Sequence, residues 1–330
     1  MQITEFGTTD TGRVVRCVSI RAGRLAADIL TLGCTLKSVH LDGTPHSLTL
    51  GSDRLADYAG QMLYFGAVVG PVANRIAGAR TILDGQPLHF EANENGNLLH
   101  GGAVGTHSKN WEILDVTADS VTLALTLPDG EGGFPATRQI SACYQIVAPA
   151  TLRLTLRATT DAATLINLAN HSYWTLDGTP SWDGHSLQIS ADHLTATDAN
   201  LLPTGAIQAV EGSAYDLRAG RRLIPGAPPL DTNFCLASAK SALRPVATLT
   251  GKSGLKMVVC TTETGLQIYD SARTARPGQS AYEGIAIEAQ GWPDAPNHPA
   301  FPSIKVTPDA PYLQITEWGF SRSQGLSADP

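Results

Sequence analysis

The five cysteines, Cys17, Cys34, Cys143, Cys235 and Cys260, never form a Cys-x-x-Cys pair, and they are scattered and odd in number. Neither a disulfide framework nor a zinc knuckle is indicated, and buried free thiols in a reducing compartment are expected. No window approaches the roughly 18 consecutive apolar residues of a membrane span. The opening Met1–Glu5 has no basic stretch leading into an apolar run, so no signal peptide and a cytoplasmic location are expected. Acidic residues outnumber basic ones, 30 to 23, for a net charge of −7. No basic face is obvious, which argues against a nucleic-acid partner and against a strongly phosphorylated substrate, although one local arginine could still hold a phosphate. The dinucleotide fingerprint and the P-loop are missing, as are His-x-x-x-His zinc spacings and the Gly-x-Ser-x-Gly elbow. Nucleotide binding and serine nucleophile chemistry lose their usual signatures. Long helical heptads are missing too.

In place of helices the chain carries many glycines and prolines, 32 and 20, and recurrent period-two alternation. Strands are predicted over Val14–Ile20, Leu25–Leu32, Val121–Leu127, Ile140–Val147, Thr151–Arg157, Ser186–Ser190, Lys256–Thr261 and Gly265–Tyr269. Alternation of apolar with polar side chains marks antiparallel sheets with one wet face; buried parallel strands would read as continuous apolar runs. Asp53–Tyr58 predicts one short helical turn. Asp-Gly pairs at 42–43, 84–85, 129–130, 177–178 and 183–184 predict turns. With no low-complexity linker and no repeat, the expected architecture is all-β, one large antiparallel β-sandwich forming a single domain over residues 1–330.

Polar residues gather where apolar strands end. Glu288 and Gln290 stand two apart before the proline-rich stretch Trp292–Pro302, so an extended strand points both to one face. A carboxylate fixed beside an amide can take a proton from one hydroxyl while holding its neighbour; a strand-end carboxylate can equally be idle. Asn74 and Arg75 follow the bend Gly66–Pro71, and the planar guanidinium suits sugar hydroxyls or a structural ion pair. His100 precedes Gly101 and Gly102, which would leave it open to a ligand. His171, within Asn170-His171-Ser172-Tyr173-Trp174, titrates near neutrality and can exchange protons at working pH. Asp231 can accept from hydroxyls or form a turn, and Phe234 could supply a flat wall.

Together these segments resemble the aldose 1-epimerase (galactose mutarotase) family over nearly the whole chain. The likeness rests on Ala73-Asn74-Arg75-Ile76, Leu99-His100-Gly101-Gly102, Asp129-Gly130-Glu131-Gly132-Gly133-Phe134-Pro135 and Asn170-His171-Ser172-Tyr173-Trp174. It continues through Leu202-Pro203-Thr204-Gly205, Asp231-Thr232-Asn233-Phe234, Glu288-Ala289-Gln290, Pro293-Asp294-Ala295-Pro296-Asn297 and Phe301-Pro302-Ser303. The resemblance implies the family's β-supersandwich, with Glu288 as general base, His171 as general acid, and Asn74, Arg75, His100, Asp231 and Gln290 as sugar contacts. It implies a free monosaccharide as partner and anomer exchange by ring opening, with the acid and base on opposite sides of the C1–O5 unit. That chemistry requires neither metal nor redox cofactor, and a monomer or weak homodimer would suffice. The chain departs from the family pattern at Pro71, Thr232, Trp174 and Trp292-Pro293, which bears on the preferred sugar more than on the reaction. Within the family, a related enzyme acting on an unusual sugar or sugar acid is an alternative; two readings outside it are a non-catalytic carbohydrate-binding sandwich and a glycosidase using Asp231 with Glu288. Both leave His171 idle.

Overall fold

A computed structural model describes residues 1–322. Three antiparallel sheets carry the architecture. The largest has nine strands in the order Glu112–Val116, Ser120–Leu127, Arg138–Val147, Thr151–Thr160, Tyr312–Arg322, Leu255–Thr261, Arg244–Thr250, Ser186–Ile189 and Arg221–Arg222. A six-stranded sheet runs Tyr173–Trp174, Ile285–Gln290, Gly265–Tyr269, Asp231–Cys235, His193–Thr197 and Pro203–Ala209. A four-stranded sheet joins Gln2–Thr8, Val14–Ala22, Leu25–Leu30 and Thr35–Leu41. The fold is thus the all-β antiparallel sandwich that the alternation predicts. No helix among the described residues is long and apolar enough to cross a membrane.

Thr151–Thr160 shows why these segments are strands. Leu152, Leu154, Leu156 and Ala158 are buried, while the intervening threonines and arginines face outward or lie at the margin. On the outer face Arg153 donates through Nε to Glu317 Oε1 at 2.7 Å on the neighbouring strand. One buried cluster draws on all three sheets: Leu154 and Tyr144 from the largest, Ile285 and Ile287 from the six-stranded, Val18 and Ile20 from the four-stranded. Across the sandwich Trp174 meets Trp318 with ring centroids 5.3 Å apart. The shape of large aromatic side chains and the area they remove from water make such contacts a main cohesive element.

The strand predicted over Leu25–Leu32 ends at Leu30. Gly33 and Cys34 both take positive φ, 66° and 50°, and turn the chain into the next strand at Thr35. The helical turn predicted over Asp53–Tyr58 is a four-residue helix, Leu55–Tyr58. Asp84 and Gly85, both at positive φ, close the hairpin between Arg80–Leu83 and Gln86–His89, as expected for a two-residue turn of that composition. Apart from that hairpin, the region 66–100 is loop held by two-residue strands, Val68–Val69, Arg75–Ile76 and Leu98–Leu99, too short for any periodicity.

Truncating Leu154 to alanine leaves a void between sheets that cannot collapse onto a rigid strand. The expected cost is about 2–5 kcal/mol, read as a lower urea midpoint with an unchanged denaturant slope; a shift below half that range would show the sheets relaxing to fill the gap.

Candidate active site

The strand Ile285–Gln290 is buried along its whole length. Its odd-numbered residues face the core; Ala286, Glu288 and Gln290 face the loops that cover the six-stranded sheet. That placement removes Glu288 from bulk water. The loop 66–76 reaches over it, and the short strand Ala169–Asn170 pairs with Val68–Val69 so that His171 follows immediately. The His171 backbone N–H donates to Ala67 O at 2.9 Å. Asn170 anchors the turn: its Nδ2 donates to Gly66 O at 2.8 Å and to the Tyr144 hydroxyl at 3.1 Å. His171 Nε2 then lies 3.6 Å from Glu288 Oε1.

These two groups share a cavity of about 440 Å³ with Asn74, Arg75, His100 and Asp231. Other hollows of about 480, 570 and 550 Å³ are larger, but none holds any of these six residues. Chemistry rather than volume marks the site.

Asn74 and His100 brace one another. Both take positive φ, 61° and 52°. The Asn74 N–H donates to His100 Nδ1 at 3.1 Å, and the His100 N–H donates to Asn74 O at 2.9 Å. The neutral His100 ring therefore carries its proton on Nε2, which is a hydrogen-bond donor. Burial, with His171, His107 and Arg75 nearby, holds the His100 pKa well below the usual value, so the ring stays neutral. His100 is buried from bulk water yet stands on the cavity wall, open to a ligand there as the sequence suggested. Gly101 is required by packing: a Cβ there would stand 2.1 Å from Gly70 O, at a φ of 79°.

Arg75 is held by Glu94, which accepts from Nε at 2.6 Å and from Nη2 at 2.7 Å. Its Nη1 lies 3.9 Å from Asp231 Oδ2. Asp231 opens its strand opposite Tyr269 and accepts from Gln267 Nε2 at 2.6 Å, so it does not form the isolated turn that its type allows.

Three sequence expectations need correction. Gln290 is fully buried, is not on the cavity wall, and has no hydrogen-bond partner for either amide atom. Same face does not mean same cavity: two residues along a strand advance roughly 6–7 Å, which carries Gln290 past the wall. The amide beside the carboxylate is Gln267, the cross-strand partner of Glu288, which does line the cavity. Phe234 is buried in the hydrophobic core rather than on the cavity wall. Trp174 is also core, whereas Thr232 lies on the cavity wall, so of these two departures only Thr232 can touch a ligand directly. Sequence reading missed Tyr64, Glu94, Gln267 and Tyr269, all on the wall. Only Glu94 had a local signal, the Asn95-Gly96 turn that follows it.

Electrostatics follow from dryness. Burial, reinforced by Asp231 and opposed by Arg75, raises the Glu288 pKa well above the usual carboxylate range. Burial also lowers His171 to about 4. Between those limits the pair holds one proton. His100, His171 and Glu288 offer ligand atoms within 4.8 Å of one another, a geometry that could enclose a metal ion. The proton on His100 Nε2 makes that group a donor and the set a poor metal site.

The fold and site define a β-sandwich with a buried carboxyl and imidazole on the wall of one polar cavity. Comparison with known proteins sharpens this. Residues 16–317 match the family model described as aldose 1-epimerase. The galactose mutarotase of Rattus norvegicus is 35% identical, covering 96% of this chain and 98% of its own length. The aldose 1-epimerase of Escherichia coli K12 is 30% identical over 94% of this chain and 96% of its own. A solved aldose epimerase homologue from C. elegans superposes with a TM-score of 0.86 at 27% identity, covering 93% of this chain and 99% of that one. The chain belongs to the aldose 1-epimerase family. It is an isomerase with mutarotase function.

Raised in the folded state, the Glu288 pKa favours the neutral carboxyl. The stability it contributes is therefore present below the unfolded value of 4.5 and is lost as pH rises through the folded value. Glu288→Gln mimics the neutral form. Its Tm advantage over wild type should widen from pH 4.5 upward, measured by calorimetry; a gap independent of pH would show that burial does not set this pKa.

Proposed function

We propose that Glu288 and His171 exchange the anomers of a free aldose by general acid–base catalysis. The observation that carries this reading is the 3.6 Å separation of His171 Nε2 and Glu288 Oε1 on one cavity wall. The hydroxyl and ring oxygens of a hemiacetal are both bonded to C1. Two groups this close can address the two oxygens together, and they need not stand on opposite sides of the ring as the sequence reading had it.

Glu288 takes the proton from the C1 hydroxyl as that oxygen becomes a carbonyl. The C1–O5 bond breaks, and O5 receives a proton from His171. Rotation about C1–C2 presents the other aldehyde face, and closure returns both protons. The pair begins and ends with one proton, and the sugar gains and loses none.

In the empty cavity burial places that proton on Glu288 and leaves His171 neutral. Catalysis in this direction requires the reverse distribution. Arg75 already favours the carboxylate, and sugar hydroxyls donating to Glu288 would favour it further. In this reading Nε2–H of His100 and Nη1 of Arg75 donate to oxygens that gain charge. Asn74 supports His100, and Asp231 with Gln267 offers acceptor and donor to the remaining hydroxyls. Gln290 has no part in this arrangement.

A free monosaccharide fits a wall on which Arg75 is matched by carboxylates and histidine, tyrosine and glutamine groups can meet hydroxyls. The negative net charge gives no support for nucleic-acid or membrane partners. We further propose that the single sandwich is the catalytic unit, working in the cytoplasm as a monomer or weak homodimer.

Polarimetry of fresh α-anomers of galactose, glucose, xylose and arabinose tests this reading. Glu288→Gln and His171→Asn should each lower kcat by about 10²–10⁴-fold while remaining folded; near-wild-type turnover in either would remove that residue from the role. The rate should follow a bell in pH. The acid limb falls near 4, where His171 takes a second proton onto the pair. The alkaline limb lies at the raised value of Glu288, where the pair loses its last proton. A profile flat across this span would show that the pair does not carry the protons.

A further inference from the structure

We propose that Glu94 is a positioning residue of this reaction: its carboxylate locks the Arg75 guanidinium so that the Nη1 end addresses the sugar. The proposal rests on the acid–base reading above and extends it to a residue outside the proton-transfer pair.

The geometry is that of a clamp. Glu94 takes one donor from Nε at 2.6 Å and one from Nη2 at 2.7 Å. A guanidinium has five donors in a rigid plane, and the two on this edge are thereby occupied. The end left over is Nη1, which lies on the Asp231 side of the cavity. Bidentate pairing fixes both the position and the plane of the guanidinium, which a single contact would not. Arg75 is buried to 9% exposure of its side chain, and Glu94 to 27%, so the pair is partly shielded from water.

The segment carrying Glu94 is built to hold it still. Asn95 and Gly96 take φ of 50° and 82°, the two-residue turn for which this dipeptide is preferred. Glu94 and Asn97 bridge across it, with the Asn97 N–H donating to Glu94 O at 2.8 Å. The Asn97 side chain accepts from the Gly78 N–H at 2.9 Å. Asn93 brackets Leu99, donating from Nδ2 to its carbonyl at 3.1 Å and accepting from its N–H at 2.7 Å. Leu99 is the strand partner of Arg75. The clamp and the residue it clamps are therefore stapled to one small frame, so their relative position does not depend on a flexible loop.

The clamp also sets a charge. Glu94 neutralises Arg75, which limits how strongly Arg75 draws a proton off Glu288. Besides Arg75, Asp231 acts directly on the Glu288 ionisation and raises it; His100, His171, Tyr64, Tyr173, Tyr215, Tyr269, Asp270 and Arg273 are the other titratable or charged groups on the same wall.

Glu94→Gln and Glu94→Asp separate charge from geometry. Glu94→Gln removes the charge and one acceptor: kcat/KM should fall roughly 10–100-fold, and the alkaline limb should move to lower pH, because uncompensated Arg75 favours ionised Glu288. Glu94→Asp keeps the charge but is one methylene short: KM should rise while the alkaline limb stays at its wild-type position. A Glu94→Gln enzyme within about twofold of wild-type kcat/KM, with an unmoved limb, would overturn the proposal. Should Glu94→Gln fail to fold, Glu94→Asp decides it, and a KM within about twofold of wild type overturns it. Wild-type turnover tests the acid–base reading separately. Were that reading to fail, galactose affinity measured by calorimetry would still test the clamp: equal Kd for wild type and variant overturns it, and weaker binding by the variant supports it.

Discussion

The structure turns on a carboxyl group and an imidazole kept out of water within 3.6 Å of each other. In water the carboxyl would be ionised at neutral pH and the imidazole would titrate close to it. Here burial pushes the first up and the second down, so a single proton belongs to the pair across a broad range of pH. A neutral pair that can polarise in either direction suits a reaction in which one oxygen gives up a proton and its neighbour receives one. The sheets, loops and ion pairs around it can be understood as the means of keeping that pair dry and in register.

Dryness has to be balanced by local charge. Arg75 carries a positive charge beside the cavity and faces two carboxylates, Glu94 at hydrogen-bonding distance and Asp231 at 3.9 Å. Asp231 is itself shifted upward by burial and held against that by Arg75 and by the Gln267 amide. An arginine with only the pair to face would pull Glu288 towards permanent ionisation, and an Asp231 without Arg75 would take up a proton. The polar groups therefore act as one network, in which each charge is tempered by another. On one side of the cavity Tyr64 packs its ring 4.8 Å from both His100 and His107, adding an aromatic surface.

Much of the scaffold was legible from alternation alone. Thr151–Thr160, Ser120–Leu127 and Leu255–Thr261 each bury one face and wet the other, so period-two patterning found them within a few residues. Site residues were legible where a motif carried them: Asn74, Arg75, His100, His171, Asp231 and Glu288 do meet at one cavity. Gln290 shows where that method stops. Its parity is that of Glu288, but depth along the strand is invisible to parity, and the cavity ends between them. Gln267 has no motif at all; its place beside Glu288 is fixed by the register of two strands 21 positions apart in sequence. Tyr64 and Glu94 lie in loops whose course is set by two-residue strands and positive-φ turns, which leave no periodic trace.

By itself the sequence determined the sheet-forming segments, because side-chain alternation is a local property of a strand, and it determined which chemical groups were available. Which of those groups face one another was decided by tertiary structure. Pairing register, the burial of Ile285–Gln290 on both faces, and the fold of the 66–100 loops over them set the distance between Glu288 and His171 and removed the water from both. A pKa depends on that distance and that dryness, and neither exists until distant parts of the chain have packed together.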